Sequence, residues 1–483
     1  MDKRAVRQGC CFIMVCYMLI ASVFYLIARD QLQFRIDQTE MPLAVNSTGE
    51  LVSGMEVRQT FTADADKLLS LSLVTATYDR TNTALLNVMV VDENGKEVGQ
   101  VTVSSSWLTN GVSELTFLVP VEITPHATYE LIVTSPDGVS GNTIALMYGS
   151  SVALPRGEIP LDIPEDEQIR VNGASLEGKL CTRLTTEKTL WIGQAYWYFV
   201  IGIGVALAAC GWYTLWSIQH GRTTVVLRVV SAFQRYKFLI KQLVLRDFKT
   251  KYKRSVLGIL WSFLNPLLTM TVQYIVFSTI FRSDIPNFAL YLLTGIVCFN
   301  FFSEASSMAL LSIVGNASLI TKVYVPKYIY PLSRVLSSSI NLLFSLIPLL
   351  AVMLLTGAPP RPALLLLPFG LICLLLFSLG IGLLLSTSMV FFRDTQFLWG
   401  VVSMLWMYLS PIIYPESIIP VKFLTLYKCN PLYHIIRFIR IILMDGISPE
   451  PKAYGLCIIA SVVPLLIGAV VFKKNQDKFV VNL

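Results

Sequence analysis

Apolar runs of about 20 residues, separated by short polar segments, dominate the hydropathy pattern of this chain. A run of that length crosses about 30 Å of hydrocarbon when it is helical. The runs lie at residues 10–28, 191–216, 256–281, 288–313, 330–355, 363–392, 397–410 and 454–472. They predict a polytopic α-helical membrane protein with about eight spans. Residues 412–445 are apolar but broken by proline, which predicts two re-entrant or interfacial helices there.

Residues 31–188 have a different pattern, because apolar and polar residues alternate there in short runs. A period of two predicts half-buried strands. Asn94-Gly95 and the Pro-Asp-Gly sequence at 136–138 lie between such runs and predict tight turns. We therefore expect an inserted antiparallel β-sandwich, whose pattern resembles the small jelly-roll domains attached to bacterial envelope-glycan proteins.

These patterns divide the chain into six segments. Residues 1–29 are an N-terminal transmembrane helix, 30–190 the β-sandwich domain, 191–217 a transmembrane helix, 218–254 a basic linker and amphipathic interface helix, 255–475 a six-span core, and 476–483 a tail. A cleaved signal peptide is the alternative for the first run. That run exceeds the usual apolar length of a signal peptide and ends without a clean small-x-small site, so we expect it to be retained.

Composition and charge indicate the class of protein and its orientation. Of the 483 residues, 54% are hydrophobic and only 14% are charged, which is too apolar for a soluble globular protein. Residues 30–190 hold 22 acidic and 10 basic residues, whereas the rest of the chain is strongly basic. Basic residues near a span stay on the cytoplasmic side. We therefore expect a multi-pass protein of the cytoplasmic (plasma) membrane, with both termini in the cytoplasm and the β-sandwich domain outside.

A basic amphipathic helix is predicted just before the 256–281 span. Its lysines recur at multiples of four, and an apolar row runs beside them. The basic residues are Lys237, Lys241, Arg246, Lys249 and Lys253, and the apolar ones are Ile240, Val244, Phe248 and Tyr252. This pattern is typical of a helix that lies on an anionic lipid surface.

The sequence lacks the motifs of an enzyme or of a nucleotide-binding subunit. No Gly-x-x-x-x-Gly-Lys-Ser/Thr loop occurs, so any ATP use belongs to another subunit. His126, His220 and His434 lie far apart in the sequence, and no Cys/His spacing suggests a metal. The helical part shows no paired carboxylates for acid–base work. We expect no catalytic residue, cofactor or metal in this chain, and no nucleic-acid partner.

Several motifs of the core follow one another in an order that resembles a known family. After the basic KYKRS sequence come VLGILWSFLNPLLTM, YLLTGIVCFNFFSEASS, NASLITKVYVPKYIYPLS, SPIIYP and NPLYHIIRFIR. Over about residues 235–475 they resemble the permease subunits of ABC exporters for O-antigen, capsule and teichoic acid. The resemblance implies an ABC type 2 exporter core, a homodimer, and two copies of a separate ATPase subunit that binds ATP and Mg. It also implies an undecaprenyl-linked polysaccharide as substrate. The added N-terminal span and β-sandwich domain depart from that pattern.

An apolar row in the first core span is a candidate for the substrate path. Met270, Tyr274, Phe277 and Phe281 fall on one helical face. An aromatic wall holds sliding sugar rings without fixed hydrogen bonds. Helix packing or lipid contact is the alternative explanation for this row.

Charged residues in apolar surroundings are further candidates. Glu304 lies inside a predicted span with Asn300 nearby, and an intramembrane carboxylate usually faces a cavity or a partner. We expect a lining or gating role for Glu304, with structural pairing as the alternative. Arg437 and Arg440 lie on the predicted outer re-entrant segment, where they would meet pyrophosphate or lipid headgroups, or act as snorkelling anchors.

Residues 316–327 resemble the coupling helix of the family, which transmits closure of the ATPase. We expect Asn316 or Ser318 to cap this helix and its apolar face to dock in a cleft of the ATPase. The predicted coupling residues are Asn316, Leu319, Ile320, Lys322 and Val323. A plain loop between two spans is the alternative.

The β-sandwich domain carries a possible sugar-binding set. An aromatic ring stacks on a sugar, and short polar side chains bind its hydroxyls. The candidates are Tyr78, Asp79, Arg80, Asn82 and Trp107. The alternative places Trp107 in the sandwich core and the others in turns.

We thus expect a homodimeric permease that exports a lipid-linked polysaccharide through a channel between its protomers, energised by a separate ATPase and surrounded by membrane lipids. A drug or lipid permease of the same superfamily is one alternative. A glycan-binding membrane scaffold that transports nothing is another.

Overall fold

The computed structural model describes residues 3–154, 157–161, 163–220, 225–252, 257–279, 287–322, 325–358, 360–416 and 419–482. They form two compact units. One is helical and combines Met1–Gln31 with Tyr196–Leu483, and the other is Leu32–Ala195. The β-rich unit is therefore inserted between two helices of the helical unit, close to the predicted boundaries.

Each predicted apolar run contains a helix, and further helices lie between the runs. They are α1 (Lys3–Gln33), α2 (Trp191–Gln219), α3 (Val225–Tyr252), α4 (Trp261–Thr279), α5 (Phe288–Leu310), α6 (Ala317–Lys322), α7 (Ile329–Leu355), α8 (Leu367–Phe391), α9 (Thr395–Tyr408), α10 (Val421–Lys428), α11 (Pro431–Arg440), α12 (Pro451–Asn475) and α13 (Phe479–Asn482). Short 3-10 turns at Gly258–Leu260, Val314–Asn316 and Pro362–Leu366 lead into α4, α6 and α8. A π-helical turn, Ile441–Asp445, extends α11.

Six helices in the described part of the chain are long and apolar enough to cross a bilayer, namely those containing α1, α2, α5, α7, α8 and α12. Helix α4 has 19 residues, and the ends of the predicted 256–281 span lie outside the described residues. Helix α9 has only 14 residues and is about 21 Å long, which is short for about 30 Å of hydrocarbon. The chain is thus a helical membrane-type protein with about six candidate spans, and the count of eight stays a prediction.

Helix α5 lies at the centre of the helical core, since most of its residues are buried. Phe302 of α5 stacks on Phe377 of α8 with ring centroids 5.0 Å apart and also meets Trp406 of α9. Helices α8 and α12 approach closely through Gly380 and Gly468. A Cβ at Gly468 would lie 2.3 Å from the Gly380 carbonyl oxygen, so this crossing requires small residues.

Helices α1 and α2, which flank the inserted unit in the sequence, pair with each other. The Tyr17 hydroxyl donates to the Val200 carbonyl (2.9 Å), and the Tyr196 hydroxyl donates to the Ala21 carbonyl (2.7 Å). Phe24 meets Tyr454 of α12 edge to face at 5.2 Å. This contact joins the added helices to the core.

The inserted unit is built of antiparallel strands. They are β1 (Phe34–Gln38), β2 (Asn46–Glu50), β3 (Glu56–Thr62), β4 (Lys67–Ala76), β5 (Leu85–Asp92), β6 (Glu97–Ser104), β7 (Gly111–Glu122), β8 (Thr128–Thr134), β9 (Ala145–Gly149), β10 (Ser151–Leu154), β11 (Gly157–Pro160), β12 (Ile169–Val171), β13 (Ala174–Leu176), β14 (Lys179–Leu180) and β15 (Thr182–Thr189). Most strands form two large sheets. One has the order β1-β15-β4-β9-β14, with β7 on β4 and β2 on β9, and the other has the order β13-β12-β3-β8-β5-β6. A third sheet consists of β10 and β11 alone.

The two sheets share one apolar core, as the alternating pattern predicted. Leu71 of β4 and Phe117 of β7 come from the first sheet, and Val88 of β5 and Val133 of β8 come from the second. The β5–β6 hairpin turns at Gly95, whose φ of 74° favours glycine. The predicted β-sandwich and this predicted turn are confirmed.

Candidate functional site

The apolar side of α3 packs on the helical core rather than standing free. Ile240 and Leu243 are buried in a cluster with side chains of α7, α8 and α12, and Val244 lies partly buried beside them. Phe248 continues this side by stacking on Phe344 of α7, with ring centroids 6.1 Å apart. The predicted apolar row of α3 is therefore a packing surface within the chain.

The basic side of α3 is largely open. Lys237, Lys241 and Lys249 are exposed, and the side chain of Arg246 keeps 48% of its surface accessible. Lys253 lies outside the described residues. This distribution agrees with a helix that is apolar toward the protein and basic toward solvent or lipid headgroups.

An ionic cluster around the buried carboxylate of Asp247 joins α3 to α7 and to the turn before α6. The carboxylate of Asp247, which is only 4% exposed, accepts from Arg246 Nη2 at 3.0 Å and lies 3.1 Å from Arg334 Nη1. Arg246 Nη2 also donates to Asn316 Oδ1 at 3.4 Å. The sequence alone does not identify Arg334 as a partner of Asp247, because the two residues lie far apart in the chain.

The predicted cap of the coupling segment is wrong. Asn316 belongs to the 3-10 turn before α6, and its side-chain amide donates back to the Ser312 carbonyl at 2.7 Å. Ser318 lies within α6 and does not precede it. The chain enters α6 through continuous helical turns, so no extended residue is available to cap it. Val323 lies outside the described residues.

The apolar face of α6 also differs from the prediction. Ile320 is buried in the cluster formed with α3 and α7, and Leu319 packs partly against it. Ile320 is therefore not available to an ATPase, because the chain's own helices cover it. The exposed residues of α6 are Ser318, Thr321 and Lys322, which form a polar face.

Glu304 of α5 links three helices. Its Oε1 accepts from Lys251 Nζ of α3 at 2.8 Å and from Asn341 Nδ2 of α7 at 2.7 Å. The side chain remains 30% exposed. Structural pairing and cavity lining, the two alternatives for this carboxylate, thus occur together.

Two cavities meet at Glu304 and Lys251. The first, of about 300 Å³, lies between the end of α3, the start of α4, and α5 and α7, and it is lined by Trp261, Asn265 and Asn300 among others. The second, of about 540 Å³, lies toward α6 and includes the Asp247 cluster. The predicted path residue Asn300 therefore lines a cavity beside Glu304.

The apolar row of α4 faces the helical core in part. Met270 is buried, and Phe277 packs partly against the same core. Tyr274 is 41% exposed, with its ring 6.0 Å from that of Phe288 of α5. Phe281 lies outside the described residues. Helix packing accounts for Met270, while a path role for the row stays a prediction.

Arg440 is buried, contrary to the prediction of a headgroup contact. Its Nη1 donates to the Pro411 carbonyl at 2.6 Å, and its Nη2 donates to the carbonyls of Ile412 and Tyr291 at 3.0 and 3.1 Å. The guanidinium also lies 3.4 Å from the centre of the Tyr291 ring. Arg440 thus joins the backbone that follows α9 to the first turn of α5.

The side chain of Arg437, one turn earlier on α11, is accessible to solvent or lipid headgroups. Its side chain is 56% exposed, 3.9 Å from Glu416 Oε1, and donates to the Tyr433 hydroxyl at 3.2 Å. It lines a cavity of about 250 Å³. A headgroup contact by Arg437 stays a prediction.

In the β-rich unit, Arg80 is the centre of a polar network. It bonds Glu50, donates from Nε to Asn82 Oδ1 at 3.1 Å, and lies 5.0 Å from the centre of the Tyr78 ring. Hydrogen bonds from Ser140 and then Arg80 lower the pKa of Glu50 to about 2. Asn82 is buried, and its amide donates to a backbone carbonyl. Arg80 and Asn82 therefore serve to hold this loop together.

The two aromatic residues of the predicted sugar-binding set, Tyr78 and Trp107, are exposed. Trp107, at the end of the Ser105–Trp107 turn, is 85% exposed, so its predicted alternative as a core residue is wrong. Tyr78 is 47% exposed, and both Tyr78 and Asp79 have left-handed backbone angles. Asn110 donates to Asp79 Oδ1 at 3.3 Å, which joins the two loops. A sugar-binding role for these residues stays a prediction.

Comparison with known proteins bears on the helical unit. Residues 238–444 match the family model described as ABC-2 type transporter. The O-antigen export system permease protein RfbA of Klebsiella pneumoniae is 32% identical over 235 residues, which cover 48% of this chain and 90% of that protein. RfbA of Myxococcus xanthus is 29% identical over 53% of this chain and 98% of its own length. The polysialic acid transport protein KpsM of Escherichia coli is 24% identical over 51% of this chain and 97% of its own.

Proposed function

Because the chain belongs to the permease family of ABC polysaccharide exporters, we propose that it is the transmembrane subunit of an ATP-driven exporter for a lipid-linked cell-surface polysaccharide. The observation that carries this proposal is the match to 90% of the length of an O-antigen export permease. The cargo is of the O-antigen, teichoic-acid or capsule type, and it moves outward across the cytoplasmic membrane. An undecaprenyl carrier is part of the proposal.

The energy comes from two copies of an ATPase that binds ATP and Mg, since this chain has no phosphate-binding loop of its own. The polar face of α6 is the docking surface, and Lys322 at its end offers a charge to the ATPase. The ionic cluster around Asp247 supports this role, because Arg246 connects it to Asn316. It joins the turn before α6 to both α3 and α7, so movement of α6 reaches two further helices.

The exporter is a homodimer, and the glycan passes between the protomers. Exposed apolar surfaces on α4 and α9 support this arrangement, because a single chain leaves them uncovered. They include Leu268, Val272, Ile275, Phe397, Leu398, Val401 and Leu405. Lipid covers whatever part of these surfaces the second protomer does not.

The β-sandwich domain lies outside, with both termini in the cytoplasm, and it meets the emerging glycan. Two observations support this part of the proposal. Residues 30–190 carry 22 acidic and 10 basic residues, the opposite balance to the rest of the chain. Trp107 also presents an almost fully exposed indole, the type of ring on which sugars stack.

Affinity purification of the tagged chain in mild detergent tests the proposal. We expect an ATPase to copurify in about equal stoichiometry and to hydrolyse ATP, and cells depleted of the chain to lose a surface glycan. A drug or lipid permease would retain the ATPase but leave the surface glycan unchanged. A scaffold that transports nothing would copurify with no ATPase under conditions that preserve a dimer.

A further inference from the structure

Two amide side chains line the cavity beside Glu304. Asn265 of α4 and Asn300 of α5 both line it, and neither side chain makes a hydrogen bond with the residues that the structure describes. Both residues are exposed, and a polar side chain on a membrane-spanning helix requires a partner from protein, water or a ligand. These amides are therefore placed to bind polar atoms that enter the cavity.

Glu304 adds a fixed acceptor to the same wall. Both of its hydrogen bonds, from Lys251 and Asn341, end on Oε1. Oε2 makes no hydrogen bond within the described part of the chain, so it keeps its capacity to accept one. Because Lys251 and Asn341 hold the carboxylate from two other helices, this acceptor is oriented before any ligand arrives.

Trp261 supplies an aromatic surface at the same cavity. Its indole is 46% exposed, and it stands at the first residue of α4, on the cavity wall. An aromatic face, amides and a carboxylate acceptor together match a sugar ring, which offers apolar C–H faces and peripheral hydroxyls. A phosphate fits less well, because Glu304 already neutralises the Lys251 ammonium and would repel an anion.

We propose that this cavity is a carbohydrate-binding site in which a sugar residue of the exported glycan stacks on Trp261 and donates hydroxyls to Glu304 Oε2, Asn265 and Asn300. The site rests on the proposed export function and specifies where the helical unit first holds the glycan. Its volume of about 300 Å³ is at the lower end for small-molecule sites, which suits a single sugar better than a longer segment.

The test uses the full-length chain with its ATPase in lipid nanodiscs. The probes are methyl glycosides of glucose, galactose, mannose, rhamnose and N-acetylglucosamine at millimolar concentration, and binding is measured by saturation-transfer NMR. Loss of one stacking contact or hydrogen bond weakens binding by about fivefold. We expect at least one glycoside to bind, and Trp261→Leu and Asn300→Ala each to weaken it by about that factor.

A matched control locates the signal. Trp212→Leu changes an exposed tryptophan of α2 outside the cavity, so it should leave binding of the glycoside unchanged. If Asn300→Ala lowers the melting temperature of the chain, Asn265→Ala is used in its place. The inference is overturned if no glycoside gives a signal that weakens in both Trp261→Leu and the asparagine variant. It is also overturned if equimolar inorganic phosphate displaces the glycoside.

The carbohydrate site and the proposed export function can be disproved separately. If the ATPase copurifies and surface glycan depends on the chain, but no glycoside binds at this cavity, only the carbohydrate site is wrong. If no ATPase copurifies and no surface glycan is lost, the proposed function is wrong as well.

Discussion

Asp247 is the residue through which α3 and α7 are held together by charge. Its carboxylate is 4% exposed and faces both Arg246 and Arg334. Breaking a buried pair leaves the partner charge uncompensated, which is strongly destabilising. Since Arg334 is itself 24% exposed, we expect Asp247→Ala to lower the free energy of unfolding by about 2 kcal/mol.

The measurement is thermal unfolding of the purified complex in detergent. Asp477→Ala is the matched control, because that carboxylate is exposed near the end of the chain and surface changes of this type cost about 0.5 kcal/mol or less. Equal melting temperatures for the two variants would show that the cluster does not hold α3 to α7.

Glu50 gives the β-sandwich domain a defined response to acid. Its folded pKa is about 2, below the usual value of about 4.3 for a glutamate. The stabilisation is therefore complete above about pH 4.3 and is lost as the pH falls toward about 2. Glu50→Gln should remove this dependence and flatten the stability profile between these values, as followed by near-UV circular dichroism. An unchanged profile in the variant would contradict the role given to Ser140 and Arg80.

At the scale of residues, the sequence predicted which side chains stand out better than it predicted the contacts that those side chains make. Glu304 was identifiable because a carboxylate in an apolar run is costly, and it does line a cavity. Arg440 was assigned to the outer surface because a short amphipathic helix does not reveal which side meets protein. Its guanidinium instead bonds carbonyls near residue 411, a contact that depends on tertiary structure.

At the scale of elements, α6 presents a polar rather than an apolar face. We expect Lys322→Glu to reduce association with the ATPase by about tenfold, since a reversed charge in an interface costs at least about 1.4 kcal/mol. Ile320→Ala should instead lower thermal stability, because its side chain is buried against α3. Copurified ATPase and melting temperature are measured for both variants.

The matched comparison is between these two positions on one helix. Loss of ATPase from Ile320→Ala at an unchanged melting temperature would contradict the burial of Ile320. Unaltered association in Lys322→Glu would exclude this end of α6 from the docking surface.

Most elements followed from hydrophobic periodicity alone. Helices α2, α7 and α12 lie close to the runs that predicted them, and the two short helices α10 and α11 occupy the proline-broken segment. Helix α1 continues to Gln33 because the residues that follow the apolar run include the good helix formers Arg29, Gln31 and Leu32. The cap of α6 could not be predicted, since the chain reaches it through a 3-10 turn that local sequence does not specify.

At the scale of the whole molecule, the proposed orientation predicts which loops are accessible from outside the cell. Asn94→Cys places a thiol at the exposed β5–β6 turn, and Lys474→Cys places one at the exposed end of α12. We expect a membrane-impermeant maleimide to label the first in intact spheroplasts and the second only after lysis, above the background of the parent chain. The reverse pattern would invert the proposed topology.

The division into two units was predictable because apolar residues recur about every 3.6 residues in helices and every 2 residues in strands. The sequence boundaries at 30 and 190 lie within a few residues of the observed unit, Leu32–Ala195. The cavity beside Glu304 was not predictable, because Asn265, Asn300 and Asn341 come from three helices whose packing no local pattern specifies.

Reconstitution tests the export function most directly. The purified chain and its ATPase are placed in vesicles whose inner and outer leaflets both contain the cell's own lipid-linked glycan, and the glycan on the outer surface is titrated with a lectin. Inside-out complexes, whose ATPase faces the added nucleotide, move glycan into the lumen. We therefore expect ATP to reduce the lectin-accessible glycan, and Lys322→Glu to abolish that reduction. Lectin accessibility that stays the same with and without ATP, in vesicles that hydrolyse it, would contradict the assignment of this chain as a polysaccharide export permease.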